Sequence, residues 1–470
     1  MSDLWSTDAF VAAARGRLAG DPPPDGIAGV SIDTRTLGPR EAFFAIQGPN
    51  RDGHDFVASA LKAGAALAVV GEGRLDAAAG PLLVVPDDPL AALERVGAAA
   101  RERMRGAVVA VTGSVGKTGT KEMLQLALSP LGPTHAPVGS FNNHWGVPLT
   151  LARMPAETRY GIFEIGMNHP GEIRPLTKLV RPHVAIVTTV APVHLAYFDC
   201  EAAIAEAKAE IFEGLEPDGI AVLNRDNEWY DLLAERAAAR GARSVSFGEH
   251  PEADIRLERA SLGEDGSSVN AILAGEPVTY RVGAPGRHLV QNSLAVLAAA
   301  HAIGADMTRV MLALAGFRAP KGRGERIQLR HPSGAFTLID ESYNANPAST
   351  RAALALLGQV RPKGRGRRIA VLGDMRELGE SGPDLHRGLL PAVEESGADL
   401  VYLAGPLMEG LWQGLPEARR GAYAPGAAEL EPILLEAVGP GDVVVVKASL
   451  GTQLGPVVDA LKRTFAGRAE

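Results

Sequence analysis

The chain has 470 residues, 46% hydrophobic and 22% charged, with a formal net charge of -8. That length is too great for one ordinary core and predicts about three domains, and the mildly acidic balance argues against a nucleic-acid partner. Cys200 is the single cysteine, so neither an intrachain disulfide nor a CxxC zinc pair can form, and a cytoplasmic setting is expected.

The N-terminal MSDLWSTDAF carries acidic residues and no apolar core of signal-peptide length. Residues 1–104 alternate short apolar runs, AFFAI (42–46), LAVV (67–70) and LLVV (82–85), with Ala-rich helical stretches. This pattern predicts a small α/β domain. A second domain, 105–325, opens on AVVAVTG (107–113) and continues through GIFEIG (161–166), VAIVTT (184–189) and GIAVLN (219–224). Short continuous apolar runs separated by helical patterns indicate a parallel sheet covered on both faces. The longest apolar stretch there, 184–198, holds two Thr, a Pro and a His, so no membrane insertion is expected. Over 253–283 the pattern becomes alternating, as in SVNAIL and VTYRV, and then yields to an Ala/Leu helix at 289–304. An antiparallel appendage on the same domain is predicted. The basic, glycine-rich joint APKGRGER (319–326) precedes a third domain, 326–470, with strands at FTLIDES, RIAVLGD, DLVYLAG and DVVVVKAS. A Rossmann-like unit is predicted there.

Chemistry concentrates where the second domain begins. In VTGSVGKTGT (111–120) a β-branched strand runs into a glycine turn and then a helix-compatible segment. Backbone N–H groups of such a turn, with the positive end of the following helix, can receive phosphate. Thr112, Gly113, Ser114, Val115 and Gly116 would form the cradle, Lys117 would reach the terminal phosphates, and the Thr118 hydroxyl would hold magnesium. The loop is two residues tighter than GxxxxGK[ST], because the residue in the first glycine position is Val111. Glu164 and His194 each follow an apolar strand of the same predicted sheet and so face the same crevice. Next to a phosphate loop, Glu164 reads as a magnesium ligand. Spacing alone makes Lys208, in EAAIAEAKAEIFEGL, a solvated residue of an amphipathic helix.

TGSVGKT, FNNHWGVPLTL, EIGMNHPGEI, the His194 segment, AKAEIF, GRHLVQNSLAVLAA and DESYNANPAS occur in this order along the chain. In that order and content the chain resembles the Mur ligases, ATP-dependent amide-forming enzymes of peptidoglycan assembly, over roughly residues 28–456. The tight GxxGKT loop is that family's form. The resemblance implies an α/β protein of three domains: a small N-terminal UDP-binding unit, a central P-loop ATPase-type parallel sheet and a C-terminal Rossmann-like unit. It further implies ATP and two magnesium ions, with Thr118, Glu164, His194 and Lys208 as metal ligands, Lys208 in the form of a carbamate. Asn292 and Tyr343 would contact adenine, Arg323 the phosphates and Asp340 the ribose. Lys117, His194, Lys208 and Asn143 would serve catalysis. Asn142 would lie near the reacting groups, and Ser31, Arg35, Gly48 and His54 would contact the UDP moiety.

FNNHWGVP, GMNHPGEI, SYNANPAS and LGDMRELG point within the family to the addition of D-alanyl-D-alanine to a UDP-muramoyl tripeptide; separately, a monomer is expected. Two departures stand out. Leu289 follows the histidine of GRH where the family often has Asn, and KASL (447–450) stands where KGSR is usual. The alternatives are another Mur or folylpolyglutamate-type amide ligase and a P-loop kinase or NTPase. The absence of a DNPR-like segment argues against the diaminopimelate-adding relatives.

Overall fold

In a computed structural model of the chain, residues 3–74 and 80–466 are described. Their strands gather into three sheets that follow one another along the sequence. The first has the order Arg17–Ala19, Leu82–Val85, Leu67–Gly71, Glu41–Phe44, Gly29–Ser31, and all pairs but the first are parallel. Its strands Leu67–Gly71 and Leu82–Val85 are buried along their whole length, which is why they appear in the sequence as unbroken apolar runs.

The middle sheet has nine strands, with Ala107–Thr112 paired in parallel to Tyr160–Glu164 on one side and Val184–Val187 on the other. The connection from Ala107–Thr112 thus leads to one side of it and the later strands lie on the other. At such a switch point the diverging loops leave a crevice at the carboxyl ends of the strands. The predicted appendage is an antiparallel run, Ile255–Leu262, Ser267–Leu273 and Glu276–Val282, that extends this sheet at one edge. Val269, Ala271 and Leu273 point alternately into a cluster with Leu294 and Leu297 of the helix Arg287–Ala302. Its period of two is that of a sheet covered on one face.

The third sheet runs Glu325–His331, Gly334–Glu341, Val443–Lys447, Arg368–Gly373, Leu400–Ala404, Arg420–Ala424, with only the first pair antiparallel. Glu325–His331, Arg420–Ala424 and, in the middle sheet, Arg243–Gly248 carry no sequence signal of the kind used above. The first two are edge strands with most positions half-buried or exposed, so neither needs a continuous apolar run.

The first and middle sheets are joined by the helices Pro89–Arg103 and Gly146–Ala152. Gly97 permits the contact, since a Cβ there would lie 3.1 Å from the Pro148 carbonyl oxygen and 3.2 Å from Leu151 Cβ. The Arg153 guanidinium adds a hydrogen bond to the Val30 carbonyl at 2.6 Å. Gly97→Leu should therefore overpack the joint and cost about 1–3 kcal/mol, read as a lower thermal midpoint than the parent chain. An unchanged midpoint would mean that the two helices are not in this contact.

Candidate functional site

The loop after Ala107–Thr112 is held both by its neighbours and by its own Ser114 hydroxyl. Gly113 has φ +148° and Gly116 φ +89°. A Cβ on Gly113 would lie 1.9 Å from Thr188 Oγ1, so a side chain is excluded by contact as well as by conformation. The Thr188 hydroxyl donates to the carbonyls of Val115 at 2.6 Å and Thr112 at 3.2 Å. The Ser114 amide donates to the Thr189 carbonyl at 2.8 Å, and its hydroxyl exchanges hydrogen bonds with Ala191. The helix Lys117–Leu128 follows directly, and its first amides, unpaired within the helix, end at the loop.

Lys117 Nζ donates to the Gly113 carbonyl at 2.6 Å. Burial lowers its pKa, with Glu164 opposing and Arg323 adding to the effect. Thr118 Oγ1 donates to Glu164 Oε2 at 2.8 Å, and Asn142 Nδ2 donates to Oε1 at 2.7 Å. Glu164, 1% exposed, thus has both oxygens engaged by neutral donors. Ser140 lies 3.5 Å from the Thr118 hydroxyl and accepts from the Arg323 guanidinium at 3.0 Å. That guanidinium also sits 4.2 Å above the Tyr343 ring, a cation–π arrangement. One connected set of contacts therefore runs from the loop to the start of the third sheet. Asn292 packs against the loop as well: a Cβ on Gly116 would meet its Oδ1 at 2.7 Å.

His194 and Lys208 lie within electrostatic reach of Lys117. His194 Nδ1 is 2.6 Å from Glu377 Oε2, and its pKa is lowered by burial, against the opposing pull of that carboxylate. Lys208, on the helix Glu201–Ala209, is 2% exposed, not on the solvated face that spacing alone suggests. Ile204, Ala205, Ala207 and Ala209 pack into the same core, so the helix is buried nearly all round and has no wide solvated face. Burial first, and the Lys117 ammonium second, hold the Lys208 pKa well below the ordinary lysine value. The neighbouring charge is therefore of the wrong sign to stabilise an ammonium.

Among the described residues no three His, Cys, Asp or Glu side chains converge as a metal cage. The donors at hand are a hydroxyl, a buried carboxylate and an imidazole beside a phosphate loop. This set suits magnesium, which keeps several waters and takes phosphate oxygens in place of a full set of protein ligands.

The remaining predicted residues divide. A cavity of about 1210 Å³ between the first and middle sheets is lined by Ser31, Arg35 and Gly48, with Phe141, Trp145 and Arg153 on the middle-sheet side. His54 does not line it: Nδ1 is 2.7 Å from Asp52 Oδ1, and Nε2 accepts from the Gly71 amide at 3.2 Å. Asn143 Oδ1 accepts from the amides of Trp145 and Gly146 at 3.2 and 2.9 Å, at the start of the helix Gly146–Ala152. Asp340 is 1% exposed; its oxygens accept from Ser342 Oγ at 2.7 Å and Lys462 Nζ at 3.3 Å. Ser140, Thr188 and Glu377 also belong to the site, without a local sequence signal of their own. Ser140 borders FNNHWGVP and Glu377 lies within LGDMRELG, but nothing in either segment marks the residue.

Three family descriptions match the chain: "Mur ligase family, catalytic domain" over residues 26–109, "Mur ligase middle domain" over 111–300 and "Mur ligase, glutamate ligase domain" over 322–450. The UDP-N-acetylmuramoyl-tripeptide--D-alanyl-D-alanine ligase of Rickettsia prowazekii is 30% identical, covering 92% of this chain and 94% of its own. The ligase of the same name from Escherichia coli is 36% identical over 80% of this chain and 81% of its own. Among solved structures, MurF from Acinetobacter baumannii superposes with TM-score 0.85 at 31% identity, covering 98% of this chain and 99% of that one. MurF from Thermotoga maritima in complex with ADP gives 0.75 at 25% identity, covering 94% and 98%.

The buried lysine has a consequence for stability. Because its folded-state pKa is depressed, the unfolded chain binds a proton that the folded chain lacks, from the depressed value up to about 10.4. Stability from this group therefore rises with pH through that window. In carbon-dioxide-free buffer, the stability of the parent chain relative to Lys208→Met should increase as pH is raised from 7 to 10. A difference that stays constant with pH would contradict the burial of an unpaired lysine.

Proposed function

The chain belongs to the Mur ligase family, and from that premise we propose that it joins D-alanyl-D-alanine to a UDP-N-acetylmuramoyl-tripeptide with ATP, in peptidoglycan precursor synthesis. The observation that carries the reading is the meeting of the phosphate loop, Glu164 and Arg323 across two sheets, beside a buried lysine with a depressed pKa. A simple phosphate-transferring P-loop protein has no evident use for that lysine. The relatives whose names specify this reaction match over most of the chain.

In the proposed reaction the tripeptide carboxylate attacks the terminal phosphoryl group of ATP, giving an acyl phosphate and ADP. The dipeptide amine then attacks the acyl carbon, and phosphate leaves. Lys117, released from the Gly113 carbonyl, pairs with the transferring phosphoryl oxygens as their charge redistributes. Arg323 approaches the same oxygens from the far side, and Tyr343 holds its guanidinium plane. Asn292 and Tyr343 border the adenine, and Asp340 would meet the ribose by exchanging Lys462 or Ser342 for it. Ser31, Arg35 and Gly48 hold the UDP end in the cavity, where Trp145 and Phe141 supply apolar walls. Asn142 fixes Glu164, and Asn143 fixes the segment between cavity and loop. We divide the chain at 105 and 326 and read it as a cytoplasmic monomer. Among the described residues no helix is long and apolar enough to cross a membrane.

Magnesium, held by Thr118, Glu164, His194 and a carbamate of Lys208, would supply charge neutralisation at the phosphates. The lysine is suited to that change. A depressed pKa favours the neutral amine, whose nitrogen adds to carbon dioxide with loss of one proton, turning a site that repels cations into an oxygen donor.

Lys208→Ala should abolish ligation without unfolding the chain, and small added carboxylates should partly restore it. Lys208→Arg should be equally inactive, because a guanidinium stays charged; an active arginine variant would refute the carbamate. Lys117→Ala should lower the rate by orders of magnitude, at about 1.4 kcal/mol per tenfold. Phosphate release by the parent chain should require both a UDP-muramoyl tripeptide and D-alanyl-D-alanine. Release with ATP alone, or with a single amino acid in place of the dipeptide, would favour the alternative classes.

A further inference from the structure

His194 and Glu377 are 183 residues apart in the chain and belong to loops of different sheets, yet their side chains meet at 2.6 Å. Two further features hold the loops together. The Ala196 amide donates to the Glu377 carbonyl at 3.1 Å. A Cβ on Gly379, which has φ +58°, would lie 3.2 Å from Ala196 Cα, so the close approach favours glycine. His194 and Glu377 themselves have φ +55° and +64°, a conformation that costs any residue with a side chain and persists only where the surroundings impose it. The loop carrying His194 is in turn fastened to the phosphate loop through the Ser114–Thr189 and Ser114–Ala191 hydrogen bonds.

We propose that Glu377 is a positioning residue for His194, supplied by the third sheet to the phosphate-loop site of the middle one. A carboxylate only accepts, so the proton of this hydrogen bond sits on His194 Nδ1, which leaves Nε2 as the ring nitrogen free to donate a lone pair. A carboxylate behind an imidazole fixes both its tautomer and its plane. Because the carboxylate comes from the third sheet, the ring is set only while that sheet is docked. Docking, which also brings Arg323 to Ser140, thereby completes two contacts of the site at once. The Glu377 carboxylate is 44% exposed, so the pair is not a buried structural bridge, and its removal leaves no uncompensated charge in a core.

This inference rests on the reading of His194 as a metal-side residue, and the test separates the two. Imidazole nitrogen shifts of the full, metal-free chain would be recorded by nitrogen-15 NMR, with the His194 signals identified by their loss in His194→Ala. In the parent chain His194 should be the Nδ1-protonated tautomer, whereas in Glu377→Ala the Nε2-protonated form should gain population. Turnover of Glu377→Ala in the ligation assay should fall about 10- to 100-fold, with the KM values for ATP and the UDP substrate changed less than threefold. Glu377→Gln, whose amide oxygen still accepts from Nδ1, should recover most of the turnover and the parent tautomer. An unaltered tautomer in Glu377→Ala, or unaltered turnover, would overturn the inference. If His194→Ala is inactive in that case, the metal-side reading stands and only Glu377 loses its role. If His194→Ala ligates normally, the metal-side reading fails and the inference fails with it.

Discussion

An excess of buried positive charge governs this molecule. Burial lowers the ability of both Lys117 and Lys208 to hold a proton; the Lys117 charge adds to the effect on Lys208, Arg323 adds to that on Lys117, and Glu164 is the carboxylate that opposes it there. Removing cations from water is costly unless anions accompany them. The protein does not supply enough of them, and a polyphosphate would. The arrangement of the loop follows from that demand. Its Ser114 amide is tied to the Thr189 carbonyl and its Thr112 and Val115 carbonyls are tied back by Thr188, which leaves the first amides of the following helix to receive phosphate. The Lys117 ammonium rests on a backbone oxygen that a phosphate can displace.

The same demand explains why two sheets are needed. The middle sheet supplies a switch-point crevice, with Thr118 and Glu164 fixed at its floor. Arg323, from the joint, and Glu377, from the third sheet, reach that crevice from the opposite side. If these contacts close over bound substrates, as the proposed reaction requires, they would exclude water that would otherwise hydrolyse an acyl phosphate. The first sheet is joined differently, by the packed helices Pro89–Arg103 and Gly146–Ala152, and the cavity lined by Ser31, Arg35 and Gly48 lies beside that joint.

How legible each part was in the sequence depends on the range of the interaction that places it. Strands buried on both faces, such as Ala107–Thr112 and Val443–Lys447, declare themselves as unbroken apolar runs. Half-exposed edges such as Glu325–His331 do not. The phosphate loop is a local feature, and its glycines, lysine and threonine could be read directly. Glu164 was legible from its place at the end of a strand. Lys208 was not: an Ala-rich helix with glutamates on both sides reads as amphipathic, and only the three-dimensional packing, or resemblance to a family, buries it. Ser140 and Glu377 act through partners 183 residues away, and no local pattern encodes such a pairing. For His54, Asn143 and Asp340 only the family resemblance implies a role, and the structure gives each of them close protein partners.

The most direct test of the central claim is carbon-13 NMR of the chain equilibrated with labelled bicarbonate. If Lys208 resolves the excess charge by becoming a carbamate, one protein-bound carbamate resonance should appear and should be missing from Lys208→Met. A ligation-competent sample with no such resonance, or a resonance that persists in Lys208→Met, would contradict the account.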